Sequence, residues 1–411
     1  MDNKNKLTLN KILSLGAAVG LALYIFCAHF KYPFASTYFL YISFFMAIVL
    51  LITDIVLKIS NGLALYIIIV FMTFIGTLYT NNQERADRQA MFFLIYFFFF
   101  WLAMQENEFI NILKKLLYFF SIIGMLTVFI QFVVPTAFNM LLARVLRADI
   151  YKAVMWSFDV DGTFTGITSS VSMASFSMAI VLFGATQNVL DLFLNRNEEA
   201  YGHWLKKHLI FLKIINIGAV ITALFGIILT SKRGIFVATI IALIVTIILD
   251  KDIKINKISK QQFVILCISV VVVIIVGVYF ITTNDYVVTF LDRFTGNNIT
   301  TGRDVFYENA INDFSKGNVL EYIFGKGTAS AYLINDTGLH NVYLQILYDH
   351  GLIGIMIYFS FFVINLKNAV ENRYFYSMCM QIVFLVYCMS GNPLYDYYFF
   401  VPYLMFVCYK G

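Results

Sequence analysis

The chain has 411 residues, of which 60% are hydrophobic and only 13% charged, with a formal net charge of +5. Soluble domains carry about 25% charged residues, so a surface this poor in charge excludes a water-soluble globular protein. The small positive balance makes no basic stripe for nucleic acid, and the lysines collect in particular loops, where they report membrane orientation.

In chain order, apolar runs predict about twelve membrane spans, at approximately 12–30, 34–57, 63–80, 90–104, 116–134, 166–186, 209–229, 235–249, 263–282, 352–366, 375–389 and 395–409. The expected fold is an all-α polytopic membrane protein, with residues 1–411 forming a single transmembrane domain. Lys4, Lys6 and Lys11 precede the first run as in a signal peptide. No small-residue cleavage site follows Phe30 and a second run starts almost at once, so an uncleaved first helix is expected. The sixth span carries the small hydroxyls of Thr165, Thr168, Ser169, Ser170, Ser172, Ser175 and Ser177, suited to close helix packing or to a hydrophilic cavity wall. All five cysteines fall inside apolar runs or at their ends, without metal-ligand spacing, and are expected to pack as small hydrophobes.

Lysine density sets the expected topology. The run Lys251–Lys260 is placed in the cytoplasm, while the long segment 283–351 carries only four basic residues and is placed outside, with both termini cytoplasmic. Within that loop, the stretch Arg303–Phe314 predicts an amphipathic helix whose apolar members, Val305, Phe306, Ala310 and Phe314, form an interfacial stripe. Gly325-Lys326-Gly327-Thr328 predicts a tight bend, and His340 to His350 a second short helix leading into the tenth span.

Three outer-face sites carry candidate chemistry. Thr230-Ser231-Lys232-Arg233-Gly234 is squeezed between two apolar runs. Its cations either snorkel to lipid phosphates or, for Arg233, form a fixed anion site. Arg303 opens the loop helix, where a cation opposes the macrodipole, so it serves either a ligand or the solvent. His340 stands at the water–lipid boundary, as a structural residue or as a base. Asp159-Val160-Asp161 and Asp250-Lys251-Asp252 match a two-aspartate metal pattern too short to outweigh chance. Gly325-Lys326-Gly327-Thr328 lacks the upstream glycine of a phosphate loop.

The order Arg233 in Ser-Lys-Arg-Gly, Gly302-Arg303 before a helix, Gly325-Lys326-Gly327, then His340-Asn341-Val342-Tyr343-Leu344-Gln345 ending in Gly351-Leu352-Ile353-Gly354 resembles the bacterial O-antigen polymerase/ligase superfamily over roughly residues 160 to 366. Ligases often have leucine four residues after the loop arginine, and here that residue is Tyr307. The resemblance implies an architecture like that of GT-C glycosyltransferases in the bacterial inner membrane. It implies an undecaprenyl-pyrophosphate-linked oligosaccharide as substrate, membrane lipid and a chain-length regulator protein as partners, and glycosyl transfer without a metal or other cofactor.

It also implies roles for individual residues. His340 would be the catalytic base. Arg233, Arg303, Lys232 and Lys326 would bind pyrophosphate, and Tyr343, Gln345 and Asn341 would line the sugar site. A Wzy-type polymerase is the leading expectation and an O-antigen ligase the nearest rival. A flippase suits the span count, but the runs show no inverted repeat and few mid-membrane charges.

Overall fold

The computed structural model describes residues 3–31, 37–53, 59–105, 107–193, 209–249 and 302–408. Fifteen α-helices occur among them: α1 (Asn3–Cys27), α2 (Thr37–Thr53), α3 (Asn61–Thr77), α4 (Gln83–Gln105), α5 (Asn107–Val133), α6 (Pro135–Val145), α7 (Ala148–Asp161), α8 (Val171–Phe193), α9 (Leu209–Leu229), α10 (Arg233–Leu249), α11 (Arg303–Ser315), α12 (Val319–Phe324), α13 (Val342–Glu371), α14 (Phe375–Tyr387) and α15 (Tyr397–Cys408).

Helices α1, α4, α5, α8, α9 and α13 contain six segments long and apolar enough to cross a membrane, and α2, α3, α10, α14 and α15 are shorter apolar helices. A helix satisfies its own backbone polar groups, which hydrocarbon cannot do. These helices account for every expected span except 263–282, which lies outside the described residues. The chain is therefore an all-α, multi-pass membrane protein.

Helices α6 and α7 lie between the fifth and sixth expected spans. Their mixed polarity hides them from a search for long apolar runs. Pro135 starts α6 where its missing N–H costs nothing, and Gly162, in the left-handed region at φ 61, ends α7.

The helices group into two compact units, Met1–Phe119 with Thr300–Gly411, and Phe120–Ile299. In the first, α1 and α2 pack through small residues: Gly16 lies against Met46, Gly20 against Ser43, and Ser43 Oγ donates to the Ala17 carbonyl at 2.5 Å. Close approach of this kind drives helix association where the hydrophobic effect is absent. The fully buried Tyr66 of α3 meets Phe361 of α13 and Phe400 of α15 at ring-centroid distances of 5.6 and 6.0 Å, and its hydroxyl donates to the Phe93 carbonyl at 3.2 Å. Phe384 of α14 stacks on Tyr403 of α15 at 4.2 Å.

In the second unit the buried Gln131 of α5 is a hub. Its Nε2 donates to Asn139 Oδ1 at 2.9 Å, and its Oε1 accepts from the Thr165 and Gly166 amides at 3.0 and 2.9 Å. Gly226 of α9 lies on Met178 of α8. Ile210, Phe211 and Ile214 of α9 are 76%, 60% and 62% exposed, a surface suited to lipid tails rather than water.

Candidate functional site

The site is built on a break. Helix α13 is interrupted at Gly351, which adopts φ 64 and ψ −161, and the interruption orphans carbonyls at the end of its first segment. The Gly325-Lys326-Gly327 turn supplies the missing donors: Lys326 N–H bonds the Tyr348 carbonyl at 2.9 Å and Gly327 N–H the Asp349 carbonyl at 3.0 Å. Both partners must come close. A side chain on Gly351 would meet the backbone of Ile323 and Gly325, and one on Gly325, itself at φ 79, would meet that of Asp349 and His350. The tight bend expected from the sequence is this turn.

Helices α3 and α4 brace the same segment. Thr328 N–H donates to the Gly76 carbonyl at 3.1 Å and Thr328 Oγ1 to the Thr73 carbonyl at 2.7 Å. From just beyond α3, Tyr79 OH reaches the Phe324 carbonyl at 2.9 Å, Thr80 Oγ1 the Thr328 carbonyl at 2.7 Å, and Asn82 Nδ2 the Ala329 carbonyl at 3.2 Å. Arg85 of α4 donates to the Asp336 carbonyl at 2.8 Å and lies 5.0 Å over the Tyr332 ring.

Helix α11 covers the loop from another side. Ala310 is buried with Ala331, Leu339 and Tyr348, and Phe306 and Phe314 pack against that cluster. The stripe expected at the lipid interface is thus partly covered by the loop's own apolar residues: Ala310 is buried, Phe306 and Phe314 are partly buried, and Val305 is 54% exposed.

His340 sits half-buried at the end of the braced segment, just before α13, in the left-handed region at φ 53. Its Nε2 is 3.1 Å from Thr337 Oγ1, and its carbonyl accepts from Tyr307 OH at 3.3 Å. Tyr307 stands one turn after Arg303 on α11. Burial pushes the Tyr307 phenol up, while the nearby Arg303 guanidinium pulls it the other way. Arg303, also half-buried, follows Gly302 at φ 77 and donates from Nη1 to the Ser390 carbonyl at 2.7 Å. Two residues on, Asn392 Nδ2 donates to the Thr337 carbonyl at 2.8 Å. One cluster thus gathers Arg303, Tyr307, Thr337, His340 and the turn between α14 and α15.

The remaining sequence candidates of this unit make scaffold contacts. Asn341 caps α13, accepting from Leu344 N–H at 3.1 Å. Tyr343 OH donates to the Leu385 carbonyl at 2.9 Å. Gln345 is fully buried and its Oε1 accepts from Leu339 N–H at 3.4 Å. Lys326 Nζ lies 2.5 Å from Asp313 Oδ2, and Tyr348 OH reaches the same oxygen at 2.5 Å. These bonds hold the Asp313 carboxyl below the usual carboxylate range.

Lys232 and Arg233 belong to the second unit. They stand at the start of α10, half-buried, after Ser231 at φ 51. The hydroxyls of Thr230 and Ser175 pair beside them.

Sequence reasoning passed over Ser390 and Asn392, whose only signal was a polar turn between two apolar runs. Tyr307 was visible as a departure from a ligase pattern, but its bond to His340 was not. Among the described residues no group of three or more His, Cys, Asp or Glu could hold a metal ion. Asp159 and Asp161 end α7, and Asp250-Lys251-Asp252 lies outside the described residues.

Residues 218–359 match the family model described as O-antigen ligase, consistent with the O-antigen polymerase/ligase superfamily. The match takes in Arg233, Arg303 and His340 and supports a polymerase- or ligase-type function in broad terms. No curated protein matches the chain.

Proposed function

We propose that the protein is a glycosyltransferase of the Wzy polymerase type, joining undecaprenyl-pyrophosphate-linked oligosaccharide repeats at the outer face of a bacterial inner membrane, with both termini in the cytoplasm. The observation that carries this reading is the meeting of Arg303 and His340 through Tyr307 on a loop braced by α3 and α4. The transferred glycan leaves its lipid carrier as its anomeric carbon–phosphate oxygen bond breaks, and that bond's electron pair goes to the departing pyrophosphate. Arg303 meets the negative charge with a planar fork that suits phosphate oxygens. The acceptor sugar's hydroxyl forms the new bond, and its proton passes to the His340 imidazole, the side chain most often used for general-base work at neutral pH.

Arg233 and Lys232 keep the pyrophosphate role that the family resemblance implies for them. Lys326, Asn341, Tyr343 and Gln345 are assigned to the scaffold: the Asp313 carboxylate already matches the Lys326 charge, Asn341 and Tyr343 bond backbone groups and Gln345 is fully buried. Arg303, by contrast, uses one of its several N–H donors on the Ser390 carbonyl. The substrate and a chain-length regulator are the partners this activity calls for, in a membrane lipid setting.

The description of the matching family favours a second reading, an O-antigen ligase that passes the same glycan to a lipid A core. Deleting the gene separates the two. Loss of a polymerase leaves surface lipid bearing a single repeat, and loss of a ligase leaves core bearing none.

A further inference from the structure

We infer that the turn Ser390-Gly391-Asn392 is a sugar-hydroxyl subsite of the transfer site, with Ser390 Oγ and Asn392 Oδ1 as its contacting atoms. The inference rests on the polymerase reading and deepens it. The turn touches both parts of the cluster: its Ser390 carbonyl receives Arg303 at 2.7 Å, and its Asn392 amide holds the Thr337 carbonyl at 2.8 Å, three residues before His340. That second bond fixes which way the Asn392 amide points. The Thr337 carbonyl can only accept, so the NH2 faces it and Oδ1 turns elsewhere. Space on the NH2 side is tight, since a side chain at Gly338 would meet Asn392 Nδ2 and Gln345 Oε1.

Asn392 Oδ1 and Ser390 Oγ are both buried atoms with no hydrogen-bond partner among the described residues. Buried polar groups are usually answered by a protein, water or ligand partner. These two stand apart from other unpaired buried atoms, such as Tyr403 OH, because they sit on the two residues that hold Arg303 and the Thr337 carbonyl. The chemistry of the pair selects the ligand. An amide oxygen accepts and cannot donate, so it repels phosphate oxygens and welcomes a neutral hydroxyl. The serine hydroxyl can donate or accept. Anionic oxygens therefore go to Arg303, and sugar hydroxyls to the neighbouring turn. The turn lies outside residues 218–359, the stretch matched to the family.

Ser390→Ala is the incisive variant, because it removes an atom that has no protein partner among the described residues and leaves the carbonyl that receives Arg303. The probe is the polyprenyl-pyrophosphate-linked repeat extracted from cells lacking the gene, added to full-length protein in detergent. Wild type is expected to lengthen the glycan. Ser390→Ala is expected to raise KM about three- to tenfold, the worth of one neutral hydrogen bond, at an unchanged thermal midpoint. Ser390→Cys keeps the volume but offers only a weak S–H donor, so it is expected to raise KM likewise, whereas Ser390→Thr restores the hydroxyl and is expected to bring KM back. An unchanged KM in both Ser390→Ala and Ser390→Cys overturns the subsite, leaving a water or nothing beside the hydroxyl. A wild-type protein that lengthens no glycan overturns the polymerase reading beneath it, and the subsite with it.

Discussion

The segment that carries His340 and the turn that carries Arg233 place cationic or titratable groups by opposite means. The Arg233 turn is largely local: Ser231 N–H bonds the Ile228 carbonyl at 2.8 Å and Phe236 N–H the Lys232 carbonyl at 3.1 Å, with Ser175 of α8 on Thr230. The His340 segment is assembled from afar. Its bonds come from α3, α4, α11 and the turn before α15, and the Thr80–Thr328 bond joins residues 248 positions apart. The first arrangement sets a charge by the course of the backbone around it. A segment tied from four sides holds its side chains within a narrow range, which suits the base role proposed for His340, because proton transfer to a defined oxygen requires it.

That contrast can be broken at points of graded effect. The largest is His340→Ala, expected to lower the transfer rate about 100- to 10,000-fold, the usual worth of a general base, with yield and thermal midpoint of the purified protein near wild type. Gly351→Ala comes next. It forces a side chain into backbone at φ 64 and ψ −161 and against Ile323, so it is expected to destabilise by about 3 kcal/mol or more. The check is a lowered thermal midpoint, together with protease cleavage appearing between residues 324 and 341.

Arg303→Lys keeps the charge but loses the fork and weakens the tie to Ser390. A loss of about ten- to a hundredfold in kcat/KM is expected, and a lysine variant at wild-type level would reduce Arg303 to a simple point charge. The smallest effect belongs to Tyr307→Phe, which deletes the hydroxyl on the His340 carbonyl. A loss of about two- to tenfold is expected, and it should appear in kcat more than in KM if Tyr307 positions the base.

Much of the architecture was legible because lipid imposes a simple rule. Long apolar runs become helices, and α1 to α5, α8 to α10 and α13 to α15 fall on the expected spans. Helices α6 and α7 were hidden because neither carries such a run. At the site, Arg303 stood out as a cation opening the loop helix and His340 as an imidazole at the water–lipid boundary, and the bend at Gly325 was written in its glycines. The burial of Ala310 and the bonds from Tyr79, Thr80 and Arg85 were not legible, since periodicity says that a face is apolar and not what will cover it. Lys326 shows the same limit. Its sequence suggested a phosphate ligand, and only its distance to Asp313 reveals a partner already in place.

The most direct measurement of the central claim is glycan lengthening by purified protein in detergent, with the lipid-linked repeat as sole substrate, comparing wild type with His340→Ala. The account predicts a ladder of longer glycans from wild type and none from the folded variant. A ladder of normal length from His340→Ala would contradict the assignment of the base, and its absence from wild type would contradict the proposed reaction.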